Sequence, residues 1–299
     1  KIVLQERKQV VENNPESVFD ERLNLILWGN SPYSRPITGT EDEIMALSAA
    51  DIYQFYHRYY APNNAILVLS GDIDVKTAKK LAEKYYGNIP NKDVIKRKVS
   101  EVKENFQERL TMRLPQIQSP KAIVKYLVPR ENQENQMYAF QVLAEYLGGG
   151  ETSALYQDLV VEQKKAFAVS VYYRLTASGN NLFSLSVIPT SDNDNEQIFT
   201  LLNEAMAKAV SEEFDASKLE KVKQKMLADL VYANDNPSDA AYWVGYMLAN
   251  GYNLAEVQNY AENIRKVSLE DVRAAYKSLE QISRVDGLLL PVKKEESRD

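Results

Sequence analysis

The feature that most constrains this fold is an internal repeat with a period of about 220 residues. Residues 1–15 read KIVLQERKQVVENNP, and residues 223–237 read KQKMLADLVYANDNP, so the two segments match at an offset of 222 positions. In this alignment Asn14 falls on Asn236, whereas Glu6 falls on Ala228. A match this short is weak alone, and a second match at nearly the same offset is needed.

The second match pairs residues 47–71 with residues 267–291, at an offset of 220 positions. Both segments place a serine three residues before an aspartate, where the serine can cap a helix and the aspartate favours its positive end. The two pairs are Ser48 with Asp51 and Ser268 with Asp271. Two matches in the same order predict a duplicated domain of about 220 residues.

A chain of 299 residues cannot hold two complete units of that length. We therefore expect the C-terminal portion of a first domain at 1–104, lacking roughly its first hundred residues. A second, homologous domain is expected at 105–299. The sequence then represents a fragment or a processed product.

The order of amphipathic helices and short apolar strands predicts an α+β fold. Each domain is expected to hold a mostly antiparallel sheet packed with helices, and the first is expected to be incomplete. The predicted strands are 65–70, 106–114, 122–128, 166–173, 182–188 and 287–290. The predicted helices are 1–12, 15–28, 41–47, 48–60, 71–86, 132–147, 152–164, 194–212, 216–233, 238–250, 254–265 and one beginning at 268.

The composition allows a folded core, since 44% of the residues are hydrophobic and 26% are charged. No apolar run approaches the roughly 20 residues that a membrane span requires. The net charge of −6 argues against nucleic acid as a partner. The absence of cysteine excludes disulfides and thiolate zinc sites but leaves the compartment open.

Several motifs, in the right order, resemble the pitrilysin/insulinase-type zinc metallopeptidases, in the bacterial branch similar to mitochondrial processing peptidase. The resemblance covers nearly the whole chain and agrees with the repeat, because that family carries a duplicated domain. The motifs are VLQER through NNP, SPYSRPITG, DIYQFYHRYYAPNNAILVLSGDID, YYGNIP, LGGGETSALYQDLVVEQ and FAVSVYY.

The resemblance implies a zinc site of two histidines from a His-x-x-Glu-His motif and a glutamate from a later helix. Such a site leaves zinc an open position for a water molecule, whose lowered pKa yields a hydroxide nucleophile. The run Val3-Leu4-Gln5-Glu6 makes Glu6 the implied third ligand. Without the resemblance, Glu6 would be a solvated surface glutamate.

The His-x-x-Glu-His motif is absent, since His57 is the only histidine of the sequence. We expect zinc in the intact protein but none bound by this chain alone, no catalytic residue in it, and no peptidase activity from it. His57 lies in an aromatic helix and is expected to be structural or on the surface.

The run Gly148-Gly149-Gly150 has two interpretations. It can be a helix C-cap and turn, or a substrate-binding loop of the second domain. Nucleotide binding is disfavoured, because the run neither follows a strand nor carries a lysine.

A second departure concerns an arginine and a tyrosine, seven residues apart, which contact the substrate carbonyl in related proteins. Val160 and Phe167 occupy the corresponding positions, and neither can donate a hydrogen bond. The resemblance then implies a second family subunit that supplies the pair, or a homo-oligomer. Drift in a degenerate copy is the alternative.

Three functions remain open. The first is a fragment of a zinc-dependent metalloendopeptidase subunit, acting on a peptide or unfolded-protein substrate through zinc-bound water. The second is a non-catalytic partner or scaffold subunit of the same family. The third is a peptide-binding module without the family's chemistry. A bacterial periplasmic or cell-envelope location is suspected from the resemblance.

Overall fold

The computed structural model describes most of the chain, in seven segments. They are residues 1–95, 101–102, 105–130, 136–176, 179–190, 197–211 and 214–292, without the side chains of 233–234. The predicted linker at 88–102, the starts of the helices predicted at 132 and 194, and the tail from 293 lie partly or wholly outside these residues.

The N-terminal part, residues 1–95, is helical. Its helices begin where polar side chains cap them: Asn14 accepts from two backbone N–H groups, with Pro15 in the first turn, and Thr40 and Ser48 form capping boxes. The helices are α1 (Ile2–Arg7), α2 (Pro15–Trp28), α3 (Glu41–Ala46), α4 (Ala49–Tyr59) and α5 (Val75–Tyr86), with a π-helix at Lys8–Glu12 and 3₁₀ turns at Pro32–Ser34 and Pro62–Asn64.

The C-terminal part contains five strands and seven α-helices among its described residues. The strands are β1 (Gln107–Leu114), β2 (Lys121–Val128), β3 (Ala166–Arg174), β4 (Asn181–Pro189) and β5 (Arg284–Pro291). The helices are α6 (Gln136–Gly148), α7 (Ile198–Val210), α8 (Ala216–Asn234), α9 (Pro237–Ala249), α10 (Leu254–Gln258), α11 (Tyr260–Lys266) and α12 (Leu269–Ser278). A π-helix at Tyr156–Glu162 replaces most of the α-helix predicted at 152–164, and the helix predicted at 254–265 divides into two.

The strands form one sheet in the order β1-β5-β2-β4-β3. β1 runs parallel to β5, and the other neighbouring pairs are antiparallel. The predicted hairpin is the pair β3 and β4. One face of the sheet packs against α6, α7 and α12 and forms the main hydrophobic core. This mixed, largely antiparallel sheet with helices confirms the α+β prediction.

The opposite face of the sheet is covered by α2, which comes from the N-terminal part. Phe19, Leu23 and Leu27 are fully buried there against Ile123 and Leu127 of β2 and their neighbours on β4 and β5. The approach is close at Gly287 of β5, where a Cβ atom would lie 2.6 Å from Leu23 and 2.7 Å from Phe19. The core of the second predicted domain therefore includes a helix of the first.

The strand predicted at 65–70 is wrong for this structure. The segment is extended but pairs with no other described residue, and no part of the described N-terminal segment forms a strand. Ile66, Leu67 and Leu69 are each about half exposed, at 50%, 52% and 50%. A strand needs a neighbouring strand that pairs with its backbone N–H and C=O groups, and the segment at 65–70 has no such neighbour among the described residues.

The predicted repeat has local counterparts in the structure. Ser48 with Asp51 begins α4 by a capping box, and Ser268 with Asp271 begins α12 in the same way. Asn14 and Asn236 also cap α2 and α9, each helix with a proline in its first turn. These similarities are local, and the duplication and the division near residue 104 stay predictions.

Candidate functional site

Glu6 lies on the exposed side of α1. Its carboxylate makes no hydrogen bond or ion pair with any residue that the structure describes. The next residue, Arg7, is buried and holds the helix in place. Its guanidinium donates to both carboxylate oxygens of Glu21, each at 3.1 Å, and to the carbonyl oxygen of Gly39 at 2.8 Å.

The guanidinium also fixes the direction of Glu6. The hydrogen bond with Glu21 raises the pKa of Arg7 above its usual value, so Arg7 stays charged. Because successive residues of an α-helix point about 100° apart, holding Arg7 inward holds Glu6 outward. The helix then widens into the π-helix Lys8–Glu12, a feature that is frequent at functional sites.

The described residues do not fit a complete zinc site. They contain no group of three His, Cys, Asp or Glu side chains close enough to hold a metal ion. His57 lies on the exposed α4, and its ring packs 4.1 Å from that of Tyr53 and 5.5 Å from that of Tyr56. Among the described residues, Glu6 is the candidate ligand that the resemblance implies.

The three predicted substrate-binding glycines each have a local structural reason. A Cβ on Gly148 would overlap the backbone of Val171 in β3, and one on Gly149 would overlap the carboxylate of Glu145. Gly150 has φ +121°, a conformation that other residues rarely adopt. These reasons favour the turn interpretation, and a substrate-facing role stays a prediction.

Gly149 also lines a cavity of about 360 Å³ between α6, the π-helix Tyr156–Glu162, α7 and α8. Two of its lysines form ion pairs. Lys225 lies 2.6 Å from Glu145 and 2.9 Å from Asp229, and these hydrogen bonds raise its pKa. Lys208 lies 2.8 Å from Asp158.

The sequence interpretation missed this cavity. The sequence feature that could have indicated the cavity is the spacing of Lys218, Lys221 and Lys225, which places three ammonium groups along one side of α8. The spacing alone also fits a solvated helix face, and only the fold places α6 and α7 opposite it.

The positions of the expected arginine and tyrosine have different surroundings. Val160 is partly buried against the main core, and Phe167 of β3 is 65% exposed. Val160 lies in the π-helix Tyr156–Glu162, and Phe167 lies in β3, the strand that follows it. Neither side chain can donate a hydrogen bond.

The fold and the candidate site together define a class of protein. It has an α+β domain with a mixed five-stranded sheet, preceded by helices that carry an exposed glutamate without a partner among the described residues. A family model described as "Peptidase M16 inactive domain" matches residues 46–226, which is more than half of the chain. The chain belongs to this peptidase M16 family, as the pitrilysin-type resemblance predicted.

Individual relatives agree with this assignment. The "Uncharacterized zinc protease YmxG" of Bacillus subtilis is 25% identical over 284 residues, covering 93% of this chain and 66% of the relative. A crystal structure of a protease from Helicobacter pylori superposes with a TM-score of 0.84 at 22% identity, over 97% of this chain and 70% of that one. The first half of the periplasmic protease PqqL from Escherichia coli gives a TM-score of 0.75 at 16% identity, over 97% and 64%.

The chain spans 66%, 59% and 56% of the length of three curated relatives that it matches. Within the described residues, no helix combines the length and the apolar character needed to cross a membrane.

Proposed function

We propose that this chain is part of a zinc metallopeptidase subunit, in which Glu6 is one of the zinc ligands. The observation that carries the proposal is the Glu6 carboxylate, which is exposed beside the buried Arg7 and unpaired among the described residues, in a chain of the M16 family. A carboxylate that is neither paired nor buried can bind a cation without first breaking another interaction. Bound zinc would supply a polarised water molecule for peptide hydrolysis.

The domain division follows the same proposal. Residues 1–104 belong to the zinc-binding domain, and residues 105–299 form a second domain that holds the peptide or unfolded-protein substrate. Val160 and Phe167 leave the second domain without the arginine and tyrosine that would donate to a substrate carbonyl, so a second family subunit supplies this pair. A homo-oligomer is the alternative, and it would work without the pair.

A periplasmic or cell-envelope location is part of the proposal. Its support is the periplasmic origin stated for PqqL, whose first half shares this fold.

The alternative is a non-catalytic partner or scaffold of the same family. Two observations favour it: the matching family model describes an inactive domain, and the described residues do not fit a complete zinc site.

Zinc content and peptidase activity of the full-length gene product test the proposal. We expect tightly bound zinc in the parent, and loss of most of that zinc and activity in Glu6→Gln. The matched control is Glu41→Gln, which removes the same charge from an exposed position at the start of α3. Equal zinc in both variants would exclude Glu6 as a ligand, and a parent without zinc would establish the non-catalytic alternative.

A further inference from the structure

The side chains that line the cavity between α6 and α8 include four lysines and three carboxylates, which is an excess of one positive charge. Glu145 and Asp158 form ion pairs with Lys225 and Lys208, and Glu162 lies 3.9 Å from Lys208. Lys218 and Lys221 also line the cavity, and the ammonium groups of both lack a hydrogen bond or ion pair within the described segments. An anionic group entering the cavity would therefore meet two ammonium groups that form no ion pair with a described residue.

Glu220 is the carboxylate closest in sequence to these lysines, and it pairs with Lys223 at 3.0 Å. Asp215, at the start of α8, is the next carboxylate. It caps α8 by accepting from the backbone N–H of Lys218 at 2.9 Å. That hydrogen bond is the largest cause of its lowered pKa, and the charges of Lys218 and Lys221 contribute less.

The floor of the cavity is apolar and made of small side chains. Ala154, Ala205, Ala209 and Val222 line it, and their small volume leaves the space open. At about 360 Å³, the cavity falls at the lower end of the range for small-ligand sites. A lone inorganic anion would leave much of the apolar floor uncovered, whereas an aliphatic stem ending in a carboxylate would cover it.

Two further features mark the cavity as a built site. Ser153, which is 6% exposed and lines it, has a buried hydroxyl without a hydrogen-bond partner among the described residues. A buried polar group in this state costs stability unless it gains a partner. One wall of the cavity is the π-helix Tyr156–Glu162, an unusual geometry that is enriched at functional sites.

We propose that this cavity binds an acidic side chain of a peptide, with its carboxylate between Lys218 and Lys221 and its methylene groups on the alanine floor. The inference rests on the proposed function, because it makes the second domain the part that selects substrate. It assigns a preference for peptides rich in glutamate or aspartate.

The test is fluorescence-anisotropy binding of labelled octapeptides to the full-length protein. One peptide carries two adjacent glutamates, and its twin carries glutamines. We expect the double variant Lys218→Gln/Lys221→Gln to lose about tenfold or more in affinity for the acidic peptide, because two charged contacts are removed. The control Lys79→Gln/Lys80→Gln removes the same charge from exposed positions of α5 and should bind like the parent.

Charge reversal adds a gain-of-binding arm. The variant Lys218→Glu/Lys221→Glu should prefer a peptide with two lysines to the acidic one. Equal acidic-peptide affinity in the parent and both cavity variants would overturn the inference. Inorganic phosphate competing more tightly than the peptide would also overturn it, in favour of a phosphate site.

Glu6→Gln separates this inference from the proposed function, since Glu6 does not line the cavity. Acidic-peptide binding that survives in Glu6→Gln supports the cavity assignment whatever the zinc content of that variant. Loss of peptide binding in Glu6→Gln, with cavity variants unaffected, would contradict it.

Discussion

Glu6 and Arg7 are neighbours in sequence with opposite environments. Glu6 is exposed and unpaired among the described residues, while Arg7 is buried and bonded to Glu21 and Gly39. The sequence could suggest Glu6, through the run that resembles a known motif. The sequence could not show that Arg7 binds Glu21 and Gly39, because these partners lie 14 and 32 residues away from it. Only the fold of the loop before α3 brings the three residues together.

Arg7→Lys tests these hydrogen bonds of Arg7 at the scale of one residue. Lysine keeps the charge but loses the planar fork that contacts Glu21 and Gly39 together. We expect the free energy of unfolding to fall by about 1–3 kcal/mol, measured by urea denaturation. Arg35→Lys is the control, because the exposed Arg35 lies 3.8 Å from Glu43 and should change stability by less than about 0.5 kcal/mol. Similar losses in both variants would contradict a special role for Arg7.

At the scale of elements, the start of α2 was predictable and its packing was not. Asn14 and Pro15 mark the start of the helix, and it ends at Trp28 as predicted. Its position on the sheet depends on contacts about a hundred residues apart, such as Lys125 with Asp20 and with Asn24 at 2.7 Å. Lys125 is 1% exposed because α2 covers it, and a charged residue in a strand would ordinarily indicate a solvent-facing side.

Two glycine substitutions test how closely the helices approach their partners. Gly287→Ala in β5 would force a methyl group against Leu23 and Phe19, and we expect a loss of about 1–3 kcal/mol in unfolding free energy. Gly245→Ala in α9 would meet only Val68, at an ordinary 3.6 Å, and should be neutral or raise stability by up to about 1 kcal/mol through helix propensity. Urea denaturation measures both, and a stabilised Gly287→Ala variant would show that α2 does not lie on the sheet as described.

At the scale of the whole molecule, the sheet prediction succeeded where the partners are present and failed at 65–70. Local sequence gives a segment its strand preference, but a ladder also needs a second strand. β5 pairs with both β1 and β2, whereas the segment at 65–70 pairs with no described residue, although the repeat aligns the two.

Hydrogen exchange tests the proposal that 65–70 belongs to a larger first domain. In the 299-residue chain, amides of 65–70 should exchange rapidly and those of β5 slowly. In the full-length gene product, both should be protected, because the proposed additional residues would pair with 65–70. Rapid exchange at 65–70 in both forms would refute a sheet in the first domain.

The position of α2 also has a consequence for biosynthesis. Residues 15–28 leave the ribosome before β5 is made, yet their apolar face is buried partly by β5, which ends at Pro291. β5 also lies inside the sheet, between β1 and β2, so the sheet itself waits for the same segment. Phe19, Leu23 and Leu27 thus remain without their partners on β5 until that strand has been translated. Such long-range contacts slow folding and leave the apolar face of α2 exposed to aggregation in the nascent chain.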